Sequence, residues 1–197
     1  MEMSQSNREL RQAYKKLRDE MPLDLREYKS HDICENVLAL LESDFKGANI
    51  FLCFYPFGSE VNLLPLYNRL LENGKKLYFP ISNIEGHKLI FHRIEGLHDD
   101  FHKGYCGIME PNDDLTVFEQ SEEQVISITP GLIFDKKLNR IGYGAGYYDR
   151  FFADKPDIIK LAPIFSEQLV ETINACSHDV PMDYIVTEND VLKGDRL

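Results

Sequence analysis

The chain has 197 residues, 43% hydrophobic and 11% aromatic, enough to bury a substantial core as one domain spanning residues 1–197. With 22 basic and 33 acidic side chains its net charge is −11, which argues against a surface built for nucleic-acid phosphates or an anionic membrane. An anionic ligand would need a local basic pocket, for which the candidates are Arg8, Arg11, Lys15, Lys16 and Arg18, and further on Lys136, Lys137 and Arg140.

The cysteines, Cys34, Cys53, Cys106 and Cys176, are scattered and form no CxxC pair, so they read as reduced thiols of a cytoplasmic protein. Met1 to Leu10 lacks an apolar leader core, and no run approaches the roughly 20 apolar residues that a membrane span needs. Neither secretion nor membrane insertion is expected.

Leu10, Tyr14, Leu17 and Met21 predict a first helix with one apolar stripe. Arg8, Arg11, Lys15 and Arg18 set a basic row beside it, and such a row is ordinarily a solvated face. A second helix is predicted over 24–43, where Ile33, Val37 and Leu41 repeat every four residues, and Gly47 ends the unit. The apolar run from Asn49 to Tyr55, closed by Pro56 and Gly58, suits a strand covered on both faces. A helix over 63–72 follows, with Pro65 in its first turn and Asn73-Gly74 as its stop.

Strands are expected at 77–81, 89–94 and, after the acidic stretch 112–124, at 125–129. Further strands are expected at 158–164 and 184–186, with a short helical segment over 167–172 between them. The alternation argues for an α/β fold with a largely parallel sheet and crossover helices.

The most informative stretch runs from Thr129 to Arg150, from a predicted strand into a predicted helix. Ligands of open α/β sheets bind beyond the carboxyl ends of strands, where glycines let backbone amides approach phosphate oxygens. Gly142, Gly144 and Gly146 would form such a cradle, Arg140 would add a planar cation, and Asp149 a hard oxygen ligand for the magnesium that accompanies ATP. The GxGxG pattern matches neither the dinucleotide fingerprint nor the P-loop, so spacing alone leaves a flexible turn as open as a phosphate site. Asp135, between a strand and a polar turn, reads as a loop brace, and Phe151 and Phe152 read as packing. His98 and His102 stand four apart with acids between them, but lack a third ligand within reach and read as a polar loop.

The whole segment, Pro-Gly-Leu-x-Phe-Asp-Lys followed by Asn-Arg-Ile-Gly-Tyr-Gly-Ala-Gly-Tyr-Tyr-Asp, resembles the signature of 5-formyltetrahydrofolate cyclo-ligases, also called 5,10-methenyltetrahydrofolate synthetases. The likeness extends to Leu10-Arg11, to Phe54 through Val61, to Tyr78-Phe79-Pro80, to Gly107 through Pro111 and to the stretch from Val180. It implies a three-layer Rossmann-like α/β domain, a monomer, and a ligase that uses ATP and Mg2+ to close 5-formyltetrahydrofolate, or its polyglutamates, to 5,10-methenyltetrahydrofolate. It assigns ATP to Arg8, Arg11, Arg140, Ile141, Gly142, Tyr143, Gly144, Ala145, Gly146, Tyr147 and Tyr148, and folate to Tyr55, Glu60 and Tyr143 through Tyr147. Magnesium falls to Asp149 and Asp183. A carboxylate at Glu60 suits the amino and ring N–H donors of a pterin. The chain departs from the family in having Asn7 for a lysine, so that either Arg8 substitutes or one phosphate contact is missing, Ala145 where some members have lysine, and Cys106 after Tyr105 where an aromatic residue is common. Two rival readings are a phosphotransferase with another acceptor and a non-catalytic binder of nucleotide or folate.

Overall fold

The computed structural model describes residues 6–104, 107–175 and 179–194; Tyr105, Cys106 and Cys176 lie outside the described residues. The first helix, α1 (Asn7–Asp19), starts at a capping box: the Glu9 N–H donates to Ser6 Oγ at 3.4 Å, and the Ser6 N–H to Glu9 Oε2 at 2.9 Å. The exchange satisfies one helical amide that has no partner within the helix, together with that of the cap itself. Helix α2 (Leu23–Asp44) buries Ile33, Val37 and Leu41, the residues whose spacing predicted it. After β1 (Ile50–Leu52) comes α3 (Leu64–Glu72), with Pro65 in its first turn.

The strands β2 (Lys76–Asn83) and β3 (Lys88–Ile94) make a hairpin, and β4 (Phe101–Lys103) with β5 (Met109–Pro111) a second. Next come β6 (Val125–Ile128), β7 (Ile133–Asp135), β8 (Arg140–Ile141) and α4 (Tyr147–Ala153). The chain closes with β9 (Ile159–Pro163), β10 (Leu169–Val170), β11 (Tyr184–Val186) and β12 (Val191–Lys193).

A seven-stranded sheet runs β12-β11-β9-β6-β1-β2-β3. Its five inner strands are parallel, and both edge strands pair antiparallel. Period-two alternation sends Phe51, Leu77, Phe79, Ile126 and Ile128 to one face, where they meet Ile33, Val37 and Leu41 of α2 and Leu66 of α3. Ile50, Leu52, Tyr78 and Val125 turn to the other, against Phe152 of α4. This is the expected three-layer arrangement, and each fully buried aliphatic side chain contributes on the order of 1.5–3 kcal/mol to it.

Three expectations are corrected. The segment 167–172 is not an α-helix: a 3-10 turn, Ser166–Gln168, passes directly into β10, which pairs with β7 in a small three-stranded sheet, β10-β7-β8. The reason lies in Gln168, whose amide accepts from the Phe165 N–H and donates to the carbonyls of Gly131 and Leu132, fixing the turn to the 131–132 segment instead of propagating a helix. Leu17 is 44% exposed, so the apolar stripe of α1 is narrower than predicted, with Leu10 and Tyr14 packed on Leu132, Ile133, Ile141 and Ile173. The strand expected over 49–55 pairs only at Ile50–Leu52, because the chain then leaves the sheet, still buried, to wall the cleft described next.

Candidate functional site

Strands β6 and β1 are neighbours in the sheet, and the connection after β1 leads to β2 on one side while that after β6 leads on to β9 on the other. At such a switch point the loops beyond the strand ends part and open a crevice. Here the loop after β1 and the loop after β6 form the walls of a cavity of about 790 Å3. Helix α1 lies along it and presents Asn7, Arg11, Lys15 and Arg18.

The glycine turn from Gly142 to Gly146 is shaped by two left-handed positions, Gly144 at φ +107° and Gly146 at φ +66°. A side chain at either would strain the backbone. The turn is anchored from three sides: Arg11 Nε donates to the Gly142 carbonyl at 2.9 Å, and Arg150 donates to the carbonyls of Ala145 and, at 3.1 Å, His87. Below it, the buried Asp135 carboxylate accepts from the backbone N–H groups of Lys137 (3.0 Å), Asn139 (2.9 Å) and Ile173 (3.0 Å) and from the Asn139 side chain. Asp135 is thus the brace expected, and it fixes the β7–β8 hairpin from which the glycine turn departs.

Arg140 is buried in the cleft wall; its Nη2 donates to Asp149 Oδ1 at 2.9 Å and its guanidinium lies 5.6 Å from the Tyr148 ring centre. Its Nε is buried without a hydrogen-bond partner among the described residues. Asp149 Oδ1 also accepts from the Val180 N–H at 3.4 Å, which leaves Oδ2 outside both contacts.

Glu60 stands across the cleft. Its Oε2 accepts from the Phe57 N–H at 2.9 Å, its Oε1 accepts from the Tyr143 hydroxyl, and Arg18 Nη1 lies 3.9 Å away. Burial pushes the Glu60 carboxyl above its ordinary value, and Arg18, Tyr143 and the Phe57 N–H pull it only partly back. The Tyr143 ring is half exposed, but desolvation at its hydroxyl and the Glu60 charge beside it push that hydroxyl up, and burial of the Tyr148 hydroxyl does the same, so both stay protonated. Tyr55 lines the cavity nearby with its ring edge-on to Phe101 at 5.0 Å.

Of the residues singled out in the sequence, the structure brings Arg11, Tyr55, Glu60, Arg140 and Ile141 through Asp149 together around one cavity. It does not bring Arg8 or Asp183 there. Arg8 is exposed and lies outside the cavity lining, because Asn7, not its neighbour, is four residues before Arg11 and shares its helix face. Asp183 is buried behind α4, where its Oδ2 meets Lys160 Nζ at 2.7 Å and accepts from the Lys160 N–H at 2.8 Å. Of the second basic cluster only Arg140 lines the cavity; Lys136 pairs with Glu171 at 2.6 Å outside it.

The basic row of α1 is a solvated face only in part: Arg8 and Lys15 are exposed, Arg11 is half-buried and Arg18 is buried. Arg18 is 5% exposed, hydrogen-bonded through Nε and Nη2 and ion-paired through Nη1, a role no local pattern announces because its partners are Ser59, Tyr143 and Glu60. His102 is part of β4 and its Nδ1 faces Asn112 Oδ1 at 3.3 Å; among the described residues no group of three or more His, Cys, Asp or Glu side chains gathers as a metal site. Phe151 packs on Phe91 at 4.9 Å and Phe152 in the core beneath, as expected.

A glycine turn and buried guanidinium groups at the switch point of a largely parallel sheet define an α/β protein built around an anion-receiving cleft. The chain belongs to the 5-formyltetrahydrofolate cyclo-ligase family, whose model matches residues 3–188. It is 28% identical over 202 residues to a 5-formyltetrahydrofolate cyclo-ligase of Saccharomyces cerevisiae, covering 90% of this chain and 92% of that protein. To the cyclo-ligase of Haemophilus influenzae it is 27% identical over 183 residues, covering 91% and 96%. Among solved structures, the 5,10-methenyltetrahydrofolate synthetase of Aquifex aeolicus superposes with a TM-score of 0.81 at 27% identity, covering 97% of this chain and 94% of that one.

Proposed function

We propose that this chain closes 5-formyltetrahydrofolate, and its polyglutamates, to 5,10-methenyltetrahydrofolate, with ATP converted to ADP and phosphate and with magnesium required. The observation that carries the proposal is the placing of a buried acid, Glu60, in the same cavity as the Gly142–Gly146 turn and Arg140. Each half suits one substrate. The carboxylate accepts paired N–H donors of a pterin, and the turn with Arg11 and Arg140 receives phosphates.

In the reaction the formyl oxygen on N5 attacks the γ-phosphorus and ADP leaves. N10 then attacks the activated carbon, gives up its proton, and phosphate departs as the second nitrogen–carbon bond is made. Both steps ask the protein for alignment and for charge stabilisation, not for a nucleophile of its own. Arg140 and the turn amides would hold the triphosphate, Glu60 and Tyr55 the pterin, and Tyr143 through Tyr147 would lie against both. Arg140 is buried and the Glu60 side chain only 9% exposed, so water competes little for their contacts.

For magnesium, Asp149 is the fitting donor: a hard carboxylate on the cavity wall with Oδ2 outside its two contacts. Asp183 fits less well, since it lies outside the cavity lining with its Oδ2 held by Lys160. Bound there, magnesium would neutralise phosphate charge. The reading extends to a cytoplasmic monomer without nucleic-acid or membrane partners; the net charge of −11 supports this, and among the described residues no helix is long and apolar enough to cross a membrane.

The test is the near-ultraviolet absorbance of methenyltetrahydrofolate after mixing protein with 5-formyltetrahydrofolate and MgATP. A rise that needs protein, ATP and magnesium together supports the proposal. A flat trace from folded protein would refute it.

A further inference from the structure

Arg18 belongs to none of the ATP, folate or metal sets, yet it is the most completely bonded cation of the cleft. Its Nε donates to Ser59 Oγ at 3.0 Å, its Nη2 donates to the Tyr143 hydroxyl at 2.9 Å, and its Nη1 lies 3.9 Å from Glu60 Oε1. A guanidinium has no acceptor, so each hydroxyl must accept from it and must point its own proton elsewhere. Each does so onto a carboxylate: Ser59 donates to Asp19, and Tyr143 donates to Glu60. Lys15 closes the outer end of this chain on Asp19 at 2.8 Å.

One side chain therefore fixes the direction of two hydroxyl protons and joins three segments: α1, the loop after β1, and the glycine turn. We infer that Arg18 is a positioning residue for the reaction: it acts through Glu60 and Tyr143, holding the folate-accepting carboxylate in its orientation and tying it to the phosphate-receiving turn. The inference rests on the cyclo-ligase reading. Lysine would not replace it, since a single nitrogen cannot hold Ser59, Tyr143 and Glu60 in one plane.

The charged and titratable groups around Glu60 are Arg18, Lys15 and Asp19 from α1, Tyr143 from the turn, and Tyr148 from α4. Only Arg18 brings a positive charge within 4 Å of it among the described residues. Without Arg18 the carboxyl would take up its proton at a higher pH, and a protonated Glu60 loses one of the two acceptor sites that a pterin needs. Folate binding should weaken, and its acidic limb should move upward in pH.

The experiment is calorimetric binding of 5-formyltetrahydrofolate and, separately, of MgATP across pH to the native protein, Arg18→Gln, Arg18→Lys and Tyr143→Phe. Circular dichroism checks that each is folded. Arg18→Gln should bind folate roughly tenfold or more weakly at neutral pH, as expected for a lost bond to a charged group, with its acidic limb shifted upward. Arg18→Lys should keep the limb near its native position yet still bind weakly, and Tyr143→Phe should weaken folate binding without moving MgATP as far. Folded Arg18→Gln and Arg18→Lys with native folate affinity and native limb would overturn the inference while leaving the cyclo-ligase reading intact. Should Arg18→Gln fail to fold, native folate affinity in Arg18→Lys alone would overturn it. A native protein that binds no folate would overturn both.

Discussion

Changing Asp183 to Asn separates a buried ion pair from a metal ligand at the position where the family likeness and the structure diverge. Lys160 is 1% exposed, its Nζ is 2.7 Å from Asp183 Oδ2, and it also donates to the Ile158 carbonyl at 2.9 Å. At an effective dielectric of about 20 the gross attraction at that distance is about 6 kcal/mol, most of it offset by desolvation. Asn keeps an oxygen to accept the Lys160 N–H, so the substitution removes charge and little else. It leaves a buried ammonium without its counter-ion, which costs about 3–5 kcal/mol. With a urea slope of about 2 kcal/mol/M the unfolding midpoint should fall by about 1.5–2.5 M. Lys160→Met combined with Asp183→Asn should recover most of that loss. A loss under about 1 kcal/mol in Asp183→Asn, together with a raised magnesium requirement for turnover, would refute the ion-pair argument and make Asp183 a direct ligand.

Glu60→Gln should weaken folate binding about tenfold at neutral pH and leave MgATP affinity within about twofold, read by calorimetry. In the native protein folate affinity should decline as pH falls, beginning above the ordinary glutamate value of 4.5 because burial raises this carboxyl. Stability should move oppositely through that window, since the folded state binds the Glu60 proton more tightly than the unfolded chain; opposite slopes in binding and urea titrations check the sign. Arg11→Ala removes the bond to the Gly142 carbonyl and should raise the KM for ATP about tenfold with a smaller effect on folate, measured by initial rates. Burial pushes the Cys34 thiol up to about 11 and the Cys53 thiol well above its ordinary value, so at pH 8 peptide mapping should find both unalkylated until the protein is unfolded.

The layers were legible because their signals are local. Ile33, Val37 and Leu41 announce a helix face, and the unbroken apolar run Leu77–Phe79 announces a strand buried on both sides. The small sheet was not legible, since β8 and β10 are two residues each, too short for any period to register. Gln168 decided that region through bonds to carbonyls more than thirty residues away in sequence. In the site, residues clustered in sequence were found, and Asp135 was read correctly because its turn is local. Arg18 was passed over: its meaning depends on Ser59 and Tyr143, 41 and 125 residues distant. Arg8 and Asn7 show the same limit: helix geometry turns Asn7, not the charged neighbour, toward the cavity.

The span of the Arg11 bond also bears on how the chain matures during synthesis. Arg11 and its acceptor at Gly142 are 131 residues apart, so the first helix is made long before the turn it anchors exists. At about 5–20 residues per second a ribosome needs roughly 7–26 s to supply that partner. Throughout this interval Leu10 and Tyr14 lack the surface of Ile133 and Ile141 that they later cover, so the nascent chain offers a basic, amphipathic segment to whatever chaperone stands at the exit tunnel.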